Sequence, residues 1–535
     1  MDFPADITLR KTRMKFELTF KVVLLFSYQG FKLSFFAKAA STFPKENRGL
    51  KLLQRICLFA AIPVILALCV CRTPLRFGAQ ADALFGTVAD TYEAGDETVE
   101  VSRTSLPQGG SVLLLRGWTL GGEDRCVMGS FQTAHRTLRS RAIWSTEIAD
   151  DTLSVRWFDG QIWHDEPIRT GKYHSNTAFF LTGRDFSALC YTPQVWAFRE
   201  NGSRQLADNW LGWIEADQTK NGWRLTFCTP RMKGSSTADF TFLTVADSSG
   251  IDWARDGIPA LWSSYRNAGD GRWCFDGYYT PSPETYIPTG NRVFFRNAAS
   301  YMIKSFLYQA GSTRTARDLS IAMLDTMISE QSDDGCWPTL SGSTWLESEY
   351  GIGAGFFDTR FNTEFANLLL LAESRFPSDI YRDSLRRYCD FFKDFAENYH
   401  SETDLGGWFI PDYWHEGMSS VSHTSLNHQL AEILFLYRAS DVLAEGSLSA
   451  LADRMLLAVD ETGEDWVLPD GNLHYQVSQD GEYGNTDYPY LTYDDLFKLQ
   501  KYLSDRFSRT DPVLDLLMQH KRAWMDANGI TAYMK

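Results

Sequence analysis

Four short stretches in the C-terminal half of the chain combine carboxylates, phenols and imidazoles densely enough for acid–base chemistry. The first is Phe409-Ile410-Pro411-Asp412-Tyr413-Trp414-His415-Glu416, followed by Ser422-His423-Thr424-Ser425-Leu426-Asn427-His428. Three of the nine histidines fall here, at 415, 423 and 428. The second is Asp470-Gly471-Asn472-Leu473-His474-Tyr475. The third is Asp487-Tyr488-Pro489-Tyr490-Leu491-Thr492-Tyr493-Asp494-Asp495, immediately before a helical pattern. The fourth is Trp345-Leu346-Glu347-Ser348-Glu349-Tyr350 with Asp358-Thr359-Arg360-Phe361-Asn362-Thr363-Glu364. Such groups act as general acids and bases when burial or neighbours tune their pKa values. Each also has a structural reading. The first stretch is equally a loop tied down by polar side chains, and Asp494 or Asp495 would favour a helix start by capping and dipole. Arg360 would grip a substrate carboxylate in bidentate fashion, or pair with Asp358 or Glu364. The histidines lack the helical i, i+4 spacing of a metal site, so no metal and no cofactor are expected.

These stretches need elements to bring them together. From residue 291 the apolar period changes from about two to about 3.6. Four helix pairs are expected, at 297–310 and 316–331, 361–375 and 379–398, 424–441 and 447–459, and 494–507 and 512–528. Between helices a pattern of acid, glycine, Trp and Pro recurs in Asp333-Asp334-Gly335-Cys336-Trp337-Pro338, Asp404-Leu405-Gly406-Gly407-Trp408-Phe409-Ile410-Pro411 and Gly463-Glu464-Asp465-Trp466-Val467-Leu468-Pro469. Repeated pairs that cannot bury their apolar faces alone must stack. Around an axis they make an (α/α) toroid with loops on one rim and a cleft inside it. Residues 82–250 read as an antiparallel β-sandwich-like domain, because Asp159-Gly160, Asn201-Gly202 and Asn221-Gly222 separate alternating runs. Asn201-Gly202-Ser203 is a glycosylation sequon, read here as turn chemistry. The aromatic stretch 251–290 reads as a linker and a candidate cleft wall. The fold class is thus multidomain β + α, a sandwich followed by a toroid of about four helix pairs.

Aromatic residues make up 14% of the 535 residues, an excess that suits stacking on sugar rings. The formal charge of -15 argues against nucleic acid, and fits a polyanionic substrate only if cations line the cleft locally. Residues 1–50 read as a basic irregular leader. Residues 51–81 read as a signal peptide or signal anchor, built on the apolar run Ile56–Cys71 with Ala79-Gln80-Ala81 as a cleavage site. The body is therefore expected outside the cytoplasm, touching a membrane only through that segment. Outside the leader six cysteines are scattered, with no CxxC, so no zinc site is expected and disulfide pairs cannot be assigned.

Three C-terminal segments resemble the C-terminal domain of D-glucuronyl C5-epimerases, over about 200 residues in order. Gly406-Gly407-Trp408, and more loosely Gly335-Cys336-Trp337, look like that family's Gly-Gly-Trp loop. Tyr413–Glu416 leading to His423-Thr424-Ser425-Leu426-Asn427 looks like its Glu-Tyr loop and Ser-x-x-Leu-Asn helix start. Tyr488–Tyr493 entering Leu496-Phe497-Lys498-Leu499-Gln500 looks like its final Asp-Tyr loop. The resemblance implies a toroid that removes the proton at C5 of a uronate and returns one on the opposite face. It makes Glu416, Tyr490, Tyr413, His474 and Tyr475 the candidate catalytic residues. Trp337, Arg360, Trp408, Asn427 and Tyr488 are the candidate substrate-binding residues. The family's arginine after His474-Tyr475 has no counterpart. A glycoside hydrolase or polysaccharide lyase on the same toroid, and a non-catalytic glycan-binding protein of envelope assembly, remain alternatives. The partner expected in every case is a polysaccharide or oligosaccharide; oligomeric state is left open.

Overall fold

The computed structural model describes residues 21–27, 30–36, 75–77, 87–108, 111–133, 142–174, 178–232, 234–264, 271–311 and 313–534. The chain divides into two compact units, 1–70 and 71–535. In the first, Lys21–Ser27 and Gly30–Phe36 pair as an antiparallel hairpin, where composition alone suggests an irregular leader. Both runs are rich in the branched and aromatic residues that strands favour. The apolar run Ile56–Cys71 and the cleavage site Ala79-Gln80-Ala81 lie outside the described residues. No helix among the described residues is long and apolar enough to cross a membrane.

The second unit opens with two facing sheets. A 13-stranded antiparallel sheet carries the long strands Glu97–Gln108, Ser111–Leu120, Asp124–Thr133, Ser187–Phe198 and Ser236–Val245. A five-stranded sheet covers one of its faces, and there Leu75–Phe77 joins Ala142–Ile148 in parallel. Strand alternation divides the side chains between two cores. Val127 and Phe131 meet Trp144 and Phe227 between the sheets, whereas Cys126 and Met128 face the helices. The expected hairpin at Asn201-Gly202 is present, with both residues at positive φ, 52° and 67°.

Within the stretch 251–290 described residues form sheet rather than a plain linker. Arg272–Cys274 and Gly277–Pro281 extend the large sheet, which buries Tyr278 and Tyr279. Its alternating aromatics are strand residues with a sheet edge to join, which a linker reading overlooks. The six cysteines Cys126, Cys190, Cys228, Cys274, Cys336 and Cys389 are free and buried.

The eight expected helices form. Tyr301–Gln309, Thr359–Arg375, Leu426–Leu443 and Leu491–Phe507 are the inner helices, first to fourth in chain order. Each is followed by an outer helix, respectively Arg314–Ile328, Asp379–Tyr399, Gly446–Thr462 and Pro512–Ala527. Successive inner helices pack on one another, and residues of all four line one hollow of about 620 Å³. Local chemistry sets the starts. Ser300 accepts from the Ile303 amide, Asp358 from Phe361, and Asp511 from Val513 and Leu514 with Pro512 at the first turn. The third inner helix is buried on nearly every side, including Asn427, His428, Gln429 and Glu432, as suits the helix at the centre of the array.

The recurrent Gly-Trp pattern has a structural origin. Gly335 has φ 108°, and a Cβ there would stand 2.3 Å from the Arg387 carbonyl oxygen; one at Gly407 would stand 2.3 Å from the Ala458 nitrogen. Close backbone crossings above the helix ends therefore demand glycine. Trp337 is 5% exposed, donates its indole N–H to the Met327 carbonyl at 2.8 Å and packs edge-on against Phe365. Its place is the helical core, not a sugar-stacking surface, and Trp466 is likewise fully buried. Trp337→Phe is expected to cost about 1–3 kcal/mol, from the lost hydrogen bond and the void left behind. Urea unfolding would register this as a lower midpoint at unchanged slope.

Candidate active site

The loops before the second, third and fourth inner helices end in short strand pairs that hold their side chains in place. Phe357-Asp358 pairs with Tyr413-Trp414, and Thr424-Ser425 pairs with His474–Val477. At their convergence lies Asp412, fully buried. Its carboxylate accepts the Ser425 amide at 2.8 Å and the Ser425 hydroxyl at 2.5 Å. His423 Nε2 stands 3.3 Å away, and His428 Nδ1 3.6 Å. Burial alone would raise the Asp412 pKa, but His428, His423 and Ser425 outweigh it and hold the group below the ordinary carboxylate value. Facing the carboxylate, His423 favours the tautomer with its proton on Nε2. Nδ1 is then the acceptor for the Tyr350 hydroxyl, 2.9 Å away. Tyr350, His423 and Asp412 therefore stand in line as a phenol–imidazole–carboxylate chain, its first link a hydrogen bond and its second a 3.3 Å ionic contact in which Nε2 makes no formed hydrogen bond among the described residues. Tyr350 ends the short helix Thr344–Tyr350, capped at its start by Ser343 and closed by Gly351 at φ 67°.

Aromatic rings surround His423. Trp345, Tyr350, Tyr413 and Tyr475 all have centroids within 6 Å of its ring, at 5.7, 5.8, 5.9 and 5.8 Å. Tyr488 meets Tyr475 edge-on at 5.5 Å and is 47% exposed. Burial raises the pKa of Tyr350 to about 12, and raises those of Tyr413, Tyr475 and Tyr488 as well. At neutral pH these phenols are protonated donors. Only Tyr350 has an imidazole placed to take its proton. Tyr488 is fixed from below by Lys521, whose ammonium donates to the Tyr488 carbonyl and the Asn472 side chain, both at 2.6 Å. The same ammonium lies 2.6 Å from Asp487, with both side chains buried.

The other sequence candidates lie elsewhere. Strand alternation turns His474 away from Tyr475, toward Tyr483. Glu416 is exposed in the turn 415–418, and among the described residues it makes no hydrogen bond or ion pair with the cluster. Trp408 sits over the outer helices, stacked on His400 at 3.7 Å with the Arg454 guanidinium 4.6 Å from its ring. Asn427 is buried, and its carbonyl accepts from Arg360 at 2.6 Å. Arg360 is already satisfied by Glu364 at 2.9 Å and Asp495 at 2.7 Å, so it has no free fork for a substrate carboxylate. Tyr490 stands at the start of the fourth inner helix, 41% exposed, within electrostatic reach of Tyr301 at the top of the hollow. Sequence reasoning passed over Tyr350 and His423 as catalytic candidates, although both were in stretches it singled out. Nothing in the sequence marks Glu432: neither carboxyl oxygen has a hydrogen-bond partner among the described residues, and burial raises its pKa well above the ordinary carboxylate value.

Asp358 caps the second inner helix behind this cluster, and burial pushes its pKa up to about 7. A carboxyl whose folded pKa exceeds its unfolded value destabilises the fold as pH rises from about 4 toward 7. Asparagine keeps the cap without that ionisation. Asp358→Asn is therefore expected to be near neutral at pH 4 and more stable than the parent at pH 8, by roughly 1–4 kcal/mol. Urea unfolding at the two pH values decides it; equal differences at both would refute it.

No family model matches the chain, and no curated protein does. Solved structures resemble it. One is a cellobiose 2-epimerase from Bacillus thermoamylovorans, at 10% identity and TM-score 0.34, covering 44% of this chain and 60% of that one. Another is an unsaturated glucuronyl hydrolase from Bacillus sp. GL1, at 16% identity and TM-score 0.31, covering 44% and 62%. A third is an alpha-amylase from Clostridium perfringens, at 14% identity and TM-score 0.30, covering 43% and 66%. The chain thus spans under two thirds of the length of each.

Proposed function

We propose that this protein is a carbohydrate-active enzyme that moves protons at a sugar carbon, in the manner of a uronyl C5-epimerase. The observation that carries the reading is the Tyr350–His423–Asp412 chain beside the protonated phenols Tyr475 and Tyr488. Removing a proton from C5 of a uronate requires a base, and its inversion requires an acid on the opposite face. Tyr350 becomes the base by passing its hydroxyl proton to His423, whose imidazolium Asp412 stabilises. Tyr475 and Tyr488 supply the other proton and donate hydrogen bonds to the uronate carboxylate, spreading the negative charge that develops there. After one turnover the chain holds the C5 proton and one of these phenols is a phenolate; exchange with solvent resets both.

Turnover of a polysaccharide panel in D2O, followed by NMR, tests this. Deuterium at C5 supports it. New reducing ends mean a hydrolase, and an unsaturated sugar means a lyase. Binding with no turnover, unaffected by Tyr350→Phe, means a glycan-binding protein. The hydrolase alternative draws on one feature, Asp358 raised to about 7 near Asp412 held below the ordinary carboxylate value, two pKa values pushed apart as an acid and base require. Against it, the two carboxyls are 4% and 0% exposed and are engaged in holding the backbone.

A further inference from the structure

The hollow between the inner helices has a wall whose charge opposes that of the whole chain. Lys304, Arg360, Arg438 and Lys498 line it against only Glu364 and Asp495, in a protein of formal charge -15. The two carboxylates are committed, Glu364 to Arg360 and Asp495 to Arg360 and Lys498. Lys304 on the first inner helix and Arg438 on the third are exposed, and among the described residues neither has an ion-pair partner. The electrostatic neighbours of Arg438 are two phenols, Tyr502 and Tyr308, and no carboxylate. Tyr301 and Tyr308 flank Lys304 by about one helical turn on either side, and are 67% and 56% exposed. Arg438 lies over the Tyr502 ring at 5.8 Å, so its guanidinium meets rings but no carboxylate. Exposed rings beside cations that lack a carboxylate offer a ligand both an apolar face and a counter-charge.

We propose that this hollow is a second sugar-binding site, distinct from the proton-transfer cluster, that holds an anionic sugar residue. Tyr301 and Tyr308 stack on the ring while Lys304 and Arg438 meet its negative group, a carboxylate or a sulfate ester. The proposal rests on the carbohydrate reading above, but not on the reaction at the rim. The wall also supplies the local cations that an acidic protein needs to accept a polyanion.

Isothermal titration of the full chain with three probes tests it: a glucuronic-acid-containing tetrasaccharide, a sulfated cello-oligosaccharide and its neutral parent. At least one anionic probe is expected to bind ten-fold or more tightly than the neutral one, and to weaken as salt rises from 50 to 200 mM, roughly as counterion screening requires. The tighter anionic probe tells carboxylate from sulfate. Lys304→Gln with Arg438→Gln is expected to lose that ten-fold preference and its salt dependence, whereas Lys304→Arg with Arg438→Lys keeps both. The substituted residues are exposed, so the fold should tolerate either pair. Equal binding of neutral and anionic probes, or a Gln pair that binds like the parent, overturns the proposal. Deuterium exchange separates the two ideas. Charge-dependent binding without exchange sinks the epimerase reading and leaves the hollow; exchange with charge-independent binding does the reverse.

Discussion

Tyr475→Phe is expected to lower turnover by about 10²–10⁴-fold while the protein stays folded. The hydroxyl removed is one that burial keeps protonated, with Asp412 and Tyr488 raising its pKa further. It is thus an acid at any ordinary pH, and on the epimerase reading its deletion leaves only the half-exposed Tyr488 to donate. The ring stays, so the packing on His423 and Tyr488 stays with it. The stability cost should be that of one hydrogen-bonding group, about 1 kcal/mol. The separation of effects is the measurement: kcat from the D2O assay against the urea midpoint. A variant with parental kcat would remove Tyr475 from the chemistry. A variant that lost both equally would make the hydroxyl a structural strut. Tyr350→Phe should lose kcat on the same scale, because His423 then has no phenol to deprotonate.

Asp412→Ala should combine the largest stability loss with near-complete loss of activity. Asp412 is fully buried and satisfies the Ser425 amide and hydroxyl at the start of the third inner helix, while two imidazoles face its charge. Removing one partner of a buried charged network typically costs about 3–5 kcal/mol, because the groups left behind lose their counter-charge. The pH dependence gives a second reading. The folded pKa lies below the unfolded one, so the contribution is present above about 4 and disappears as pH falls through the folded value. The alanine variant should therefore lie furthest below the parent at neutral pH and approach it in acid. His428 adds an acid-side cost of its own: burial lowers its pKa to about 4, so its stabilising neutrality fades as pH drops below about 6.5 in both proteins. Asp412→Asn keeps an acceptor for Ser425 but offers His423 no charge; it should fold better than the alanine variant and remain as inactive. An asparagine variant with parental turnover would place the chemistry elsewhere.

Much of the architecture was legible because it rests on local, periodic signals. All eight helices could be placed from a 3.6-residue apolar period, cut by Pro512 and by the glycine-rich crossings. The hairpin at Asn201-Gly202 followed from turn chemistry alone. The stretches that carry Asp412, His423, Tyr475 and Tyr488 stood out because loops that concentrate acids, phenols and imidazoles are unusual in composition.

Which of those side chains meet was not legible. His474 and Tyr475 are adjacent in sequence, yet a strand of four residues sends one toward Tyr483 and the other toward His423. Trp337 and Trp408 share a motif, but one fills the core and the other covers the outer helices, because the same turn is buried to different depths as the array bends. Tyr301, Lys304 and Tyr308 look like the solvent face of an amphipathic helix, and sequence holds no sign that this face borders a hollow rather than open water. The sequence by itself determined the helix pairs, the sandwich strands and the composition of the rim loops, since each depends on residues within a few positions of one another. The tertiary structure alone decided the Tyr350–His423–Asp412 chain and the cationic hollow. Tyr350 lies 73 residues from His423, and the residues of the hollow come from four separate helices, so only the packing of one inner helix on the next brings them within hydrogen-bonding or Coulombic range.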